Sequence, residues 1–373
     1  MKRRKNRKIV EIMVFILVII VGAPFGVWFV QPSKTLDVVI IDKTVPDTTY
    51  REHKGLMWIL NNLKVNNGEL NKPFKYEEDY YGFFPLNNEQ YTIKEIPDNL
   101  GKPDLIYLTD TYGVYKEDFY NKSDQGNRSG IIYGGTQEKE VTSIKNALDH
   151  NVIIGEFNIL ASPTESQARA DLENIFGIKW NNWMGRYFSD LSKENLEIPA
   201  WMKENYAMQY GIKWDFTGAG IVLVGADDTI IVLRNNVELG KDLNSINFSE
   251  NVKNEFPIRN NTNYYYWFEI ASADKDTEVL ANYKLDVTEA GQKILDEYEI
   301  PTVFPAIVRK TGPYTSYYFA GDFADSKSTP SIYNMPGIPF LNRITTFDED
   351  SNQNYFYWNV YYPLIEKIIS SIN

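Results

Sequence analysis

The chain has 373 residues, no cysteine, two histidines and a formal net charge of −12. The missing thiols exclude disulfides, cysteine nucleophiles and thiolate metal sites, and the acidity argues against nucleic-acid recognition by charge. With 43% apolar and 14% aromatic residues, the chain can build one large core or two fused ones without covalent staples.

The opening MKRRKNRK carries six positive charges and no negative one, and without them the net charge becomes −18. Residues 9–30 follow as an apolar run of 22 residues with Glu11 its one charge, a length that predicts a transmembrane signal anchor. Because the run continues through Trp28 and Phe29 without a small-residue cleavage site, an uncleaved anchor fits better than a secretory leader. The basic flank then predicts residues 1–8 as a cytoplasmic tail, with the bulk of the chain extracytoplasmic and the protein single-pass in the cell membrane.

From Leu36, LDVVIID is a continuous apolar run. It is followed by YREHKGLMWILNNL, where Leu56, Ile59, Leu60 and Leu63 fall at helical spacing, so the pair predicts a strand and then a helix. The same order returns at PDLIYLTD and at EKEVTSIKNALDHNVIIGEFN, where a helix over about 137–150 runs into VIIGEF. Ser162, Pro163 and Thr164 then open another helix that reaches Phe176. Alternating strands and helices predict an α/β fold, a mainly parallel sheet flanked by helices.

Residues 180–210, rich in Trp, Tyr and Asn, are expected as a long excursion across one face of the sheet. Beyond them GAGIVLVG and TIIVLR predict a hairpin, followed by strand-like YYYWFEIAS, a helix capped at Thr288, strands TVFPAIV and SYYFAG, and a closing helix over about 355–372. The expected organisation is an α/β core over residues 35–215 with an α+β C-terminal extension over 216–373.

In open α/β sheets ligands collect beyond the carboxyl ends of the strands. Asp42, Asp110, Glu156 and Asp322 each close such a strand, the last in YYFAGDFAD. Four carboxylates on one rim suit a hard cation, sugar hydroxyls, or an acid and base pair, although an acid at a strand end also commonly caps the next turn. Asp322, Glu156 and Asp110 are the candidate catalytic acids. Asp42, Asn158, His53, Tyr112 and Asp325 are candidate ligand-binding neighbours, with Asp325 also placed to cap the loop SKSTP. In WNNWMGRY, Trp183 and Arg186 are candidate members of a lid or sugar platform, because polar residues interrupt the aromatic run; elsewhere the clustered aromatics fit a core or a sugar-stacking surface. No HExxH, GxSxG, Walker A or GxGxxG pattern is present. No metal ligand set and no cofactor is therefore expected.

Strands LDVVIID and DLIYLTD, the elbow VIIGEFN and the following LENIFGIKW resemble the class I glutamine amidotransferase-like fold, a flavodoxin-like arrangement, over roughly residues 35–180. With Glu156 and Asn158 at the elbow where amidotransferases carry Cys, the resemblance implies a fold and a ligand crevice but not glutaminase chemistry. The strings TDTYGVY, GEFNILASPT, GRYFSDL, YYYWFEIAS and YYFAGDFAD are similar to those of uncharacterised membrane-anchored proteins of Gram-positive bacteria. Together these readings imply a non-catalytic protein that binds or helps assemble envelope polysaccharide. The alternatives are a tethered glycan hydrolase using strand-end carboxylates, or a structural subunit of a membrane complex contacting other membrane proteins.

Overall fold

The computed structural model describes residues 2–68, 70–121, 128–259, 262–326, 329–349 and 353–372. Ten strands build its main sheet: β1 (Val38–Asp42), β2 (Tyr81–Pro85), β3 (Tyr91–Lys94), β4 (Leu105–Leu108), β5 (Val152–Gly155), β6 (Leu239–Phe248), β7 (Thr262–Asn263), β8 (Glu278–Val287), β9 (Val303–Thr311) and β10 (Thr315–Phe319). Their order across the sheet is β7-β6-β8-β9-β10-β5-β4-β1-β2-β3. The four pairings from β10 to β2 are parallel and the other five antiparallel.

This corrects the expected fold class. The sheet is mixed rather than mainly parallel, and strands from the second half of the chain extend it. The physical reason lies at β10, whose backbone pairs in parallel with β5 from Thr315 opposite Val152 to Tyr318 opposite Gly155. The meander of the second half is thereby carried directly onto the edge of the parallel block.

The central strands behave as strands covered on both faces do: all four residues of β4 are buried, as are Ile153, Ile154 and Gly155 of β5. Helices α2 (Arg51–Asn62), α3 (Glu138–Ala147) and α4 (Ser166–Phe176) belong to the parallel block, in the chain order expected of them. Helix α4 stops at Gly177, whose left-handed φ of 66° lets its N–H reach back to the Glu173 carbonyl.

A second, four-stranded antiparallel sheet is ordered Ile230–Arg234, Gly220–Gly225, Ile178–Phe188, Trp267–Ala273. Its first two strands are the expected hairpin. Its third strand contains WNNWMGRY, so the first part of the expected excursion is regular sheet, irregular only between Trp180 and Trp183. A bridge between Phe268 and Gly321 joins the two sheets at the start of the GDFAD segment.

Residues 2–30 form one helix, α1, yet among the described residues no helix is long and apolar enough to cross a membrane. The transmembrane anchor at 9–30, the single-pass membrane location and the cytoplasmic N-terminus are corrected accordingly. The helix starts with the charged run from Lys2 to Lys8, and its other end is held by the folded domain. Trp28 is buried; its indole N–H donates to the Asn62 carbonyl at 2.9 Å, and Lys64 Nζ donates to the carbonyls of Trp28 and Phe29 at 3.2 and 2.9 Å.

Candidate functional site

Strand register aligns the acids at one end of the parallel block. Ile41 pairs with Leu108, Leu108 with Gly155, and Gly155 with Tyr318, so the chain leaves all four strands on the same rim. Asp42, Asp110, Glu156 and Asp322 follow within a few residues of that row. Each then takes a different role according to the donors it meets.

Asp42 is fully buried, and its Oδ2 lies 2.5 Å from His53 Nδ1, while Oδ1 accepts the Thr44 backbone N–H at 2.9 Å. His53 Nε2 donates to the Tyr76 carbonyl at 2.8 Å, so both ring nitrogens are committed inside the protein. Asp110 accepts the Thr44 hydroxyl at 2.7 Å and the Tyr112 backbone N–H at 2.6 Å. Burial nevertheless outweighs these donors and pushes its pKa up to about 8.

Glu156 faces the underside of the Asp322 loop. Its Oε2 accepts the backbone N–H groups of Phe323 at 3.1 Å and Ala324 at 2.9 Å, and its Oε1 accepts the Tyr107 hydroxyl, which also meets the Tyr361 hydroxyl at 2.8 Å. Burial raises its pKa to about 8 against those hydrogen bonds. Asn158, at φ 69° in the elbow, donates its backbone N–H to Glu269 Oε1 at 3.0 Å. Glu269 is fully buried, accepts the Tyr318 hydroxyl as well, and is pushed by burial to about 7.

Asp322 and Asp325 part company. Asp325 is gripped by Arg51, with Nε on Oδ1 at 2.8 Å and Nη2 on Oδ2, and the same Nη2 donates to the Tyr266 hydroxyl. Asp322 receives no hydrogen bond on its carboxylate among the described residues. Burial raises its pKa well above the usual carboxylate range, reinforced by Asp325, Asp110 and Glu156. Glu52, the neighbour of Arg51 on α2, is raised the same way by burial, then by Asp322 and Asp325. Glu52, Asp322 and Asp325 each offer a carboxylate oxygen, and these oxygens lie within 4.8 Å of one another.

Asp322 and Asp325 line a narrow cleft walled by Tyr264, Tyr265, Tyr266 and Tyr357. The cleft has room for about one water molecule. Helix α2 can pass this close to the loop because residue 55 is glycine: a Cβ there would stand 2.5 Å from the Ala324 carbonyl oxygen and 2.9 Å from the Tyr357 ring.

The remaining candidates lie further out. Tyr112 is exposed and stacks at a tilt on Tyr115, 4.8 Å between centroids. Trp183 packs edge-on against Tyr298. Arg186 pairs with Glu197 at 2.5 Å and lies over the rings of Phe188, Tyr266 and Trp267, so it braces the cleft wall from behind. The loop expected to be capped by Asp325 includes residues 327 and 328, which lie outside the described residues; the partner of Asp325 is Arg51. Arg51, Glu52 and Glu269 join the site without being among the candidates read from the sequence. The first two adjoin His53 in YREHKG on a helix expected to begin at the rim, and Glu269 was marked by being the one charge inside the apolar run YYYWFEIAS.

No protein-family model matches this chain, and neither does any curated protein.

Proposed function

We propose that this chain is a non-catalytic binding protein that takes a hydroxyl-rich ligand, of the kind a cell-envelope polysaccharide presents, at the tyrosine-walled cleft over Asp322. The observation that carries this reading is the contrast between Asp322 and the other rim acids. Asp322 lines an aromatic cleft with its carboxylate uncommitted among the described residues, while Asp42, Asp110, Glu156 and Asp325 are occupied by internal donors. Tyrosine rings with polar tips beside one free acceptor suit hydroxyl recognition.

A glycan hydrolase needs an acid and a base that both reach the scissile bond. Glu156 and Asp110, the expected partners of Asp322, point their oxygens at backbone and hydroxyl donors within the protein. Incubating the full chain with envelope glycans tests the proposal. The expected result is a retarded band on a glycan gel without new reducing ends, weakened in Asp322→Asn. New reducing ends that vanish in that variant would establish the hydrolase instead, and an unshifted gel would remove glycan binding.

A further inference from the structure

The charge balance around Glu52 calls for a further component. Among the described residues, three carboxylates, those of Glu52, Asp322 and Asp325, face one another with only the Arg51 guanidinium close against them. When ionised they leave two negative charges in excess where almost no water enters, an arrangement that is costly without a counter-charge.

We propose that Glu52, Asp322 and Asp325 bind one divalent, oxygen-preferring cation of the Ca²⁺ or Mg²⁺ class at the inner end of the cleft. Two ligand oxygens each about 2.4 Å from a common ion can be no more than about 4.8 Å apart, and the three carboxylates meet that limit pairwise. Asp325 keeps accepting capacity because the Arg51 fork uses one lone-pair site on each of its oxygens.

An independent observation points to the same place. The Tyr264 hydroxyl is buried with no hydrogen-bond partner among the described residues, and Tyr264 lines the cleft together with Asp322 and Asp325. Glu52 Oε2 is also buried and without a hydrogen-bond partner among the described residues. A hydrated cation satisfies both, since one of its waters can bridge to the phenol while Glu52 ligates directly. An all-oxygen donor set selects a hard cation over zinc or copper, and the nearest imidazole, His53, has both nitrogens committed elsewhere.

The site shares Asp322 and the cleft with the glycan reading but does not depend on a glycan, so it is tested with the metal alone. Chelator-treated full-length protein is titrated calorimetrically with CaCl₂ and with MgCl₂, and its melting followed in parallel. One equivalent of one of the two ions is expected to bind and to raise the melting temperature. Glu52→Gln and Asp322→Asn should each weaken affinity by at least about tenfold, while Asp276→Asn, a distant exposed change, should leave it intact. Terbium emission sensitised by the cleft tyrosines and quenched by excess Ca²⁺ supplies a second readout if either variant folds poorly. The absence of heat, melting shift and terbium emission at metal concentrations up to about 1 mM, the weak end of protein calcium sites, would overturn the proposal. Binding unchanged in both folded variants would overturn it too.

Discussion

Arg51, in the first turn of α2, holds Asp325 through two parallel hydrogen bonds across 274 residues of sequence, with Nε 2.8 Å from Oδ1 and Nη2 on Oδ2. Asp325 has no exposed side-chain surface, whereas Arg51 keeps 30% of its own. The pair therefore ties the entrance of the first helix to the loop carrying Asp322. Arg51→Met should leave Asp325 buried without its counter-charge and cost about 3 kcal/mol, the lower end of the range for a broken buried pair because Arg51 is partly solvated. Urea unfolding measures this, and a loss below about 0.5 kcal/mol, the scale of an ordinary surface change, would mean that the pair does not fasten the loop.

Gly55→Ala should destabilise the protein even though alanine is the better helix former by about 1 kcal/mol. The added methyl meets the Ala324 carbonyl oxygen at 2.5 Å, a backbone atom that cannot rotate away, and relieving the overlap should cost about 1–3 kcal/mol. A raised melting temperature in this variant would show that α2 and the loop are not in close contact.

Glu156 and Glu269 should make stability depend on pH. Burial raises their pKa values to about 8 and about 7 from the ordinary glutamate value of 4.5. Between these limits the unfolded chain has released protons that the folded chain retains, so stability falls as pH rises from about 4.5 to about 8, and the penalty is complete above that. Denaturant unfolding from acid to alkaline pH should show this decline, with a shallower slope in Glu269→Gln, whose amide oxygen can accept the Asn158 N–H while its NH₂ donates to the Tyr318 hydroxyl. An unchanged slope would place the pH dependence elsewhere.

Asp322→Asn should leave stability at neutral pH unchanged or raised, because it removes a carboxylate that burial and the neighbouring acids disfavour. Ligand binding at the cleft should weaken at the same time. A large drop in melting temperature would make Asp322 a structural residue and count against its assignment to the site.

Local pattern carried much of the parallel block. Continuous apolar runs marked β1, β4 and β5, helical spacing marked α2, and the acids at the strand ends were visible in LDVVIID, DLIYLTD, VIIGE and YYFAGD. Such features depend on neighbours within a few residues, and the chain alone determines them. Which strands pair does not follow from local pattern, because an apolar strand offers the same backbone ladder to a parallel or an antiparallel neighbour. The junction of β10 with β5, and with it the mixed sheet, was settled only by the tertiary structure. The same limit governed the two acids of YYFAGDFAD. Their spacing is plain in the chain, but it took the approach of α2, permitted by Gly55, to give Asp325 to Arg51 and leave Asp322 facing Glu52 and the cleft. Charges distant in sequence acquire their roles from the donors and the desolvation that folding imposes on them, and only the assembled structure specifies those.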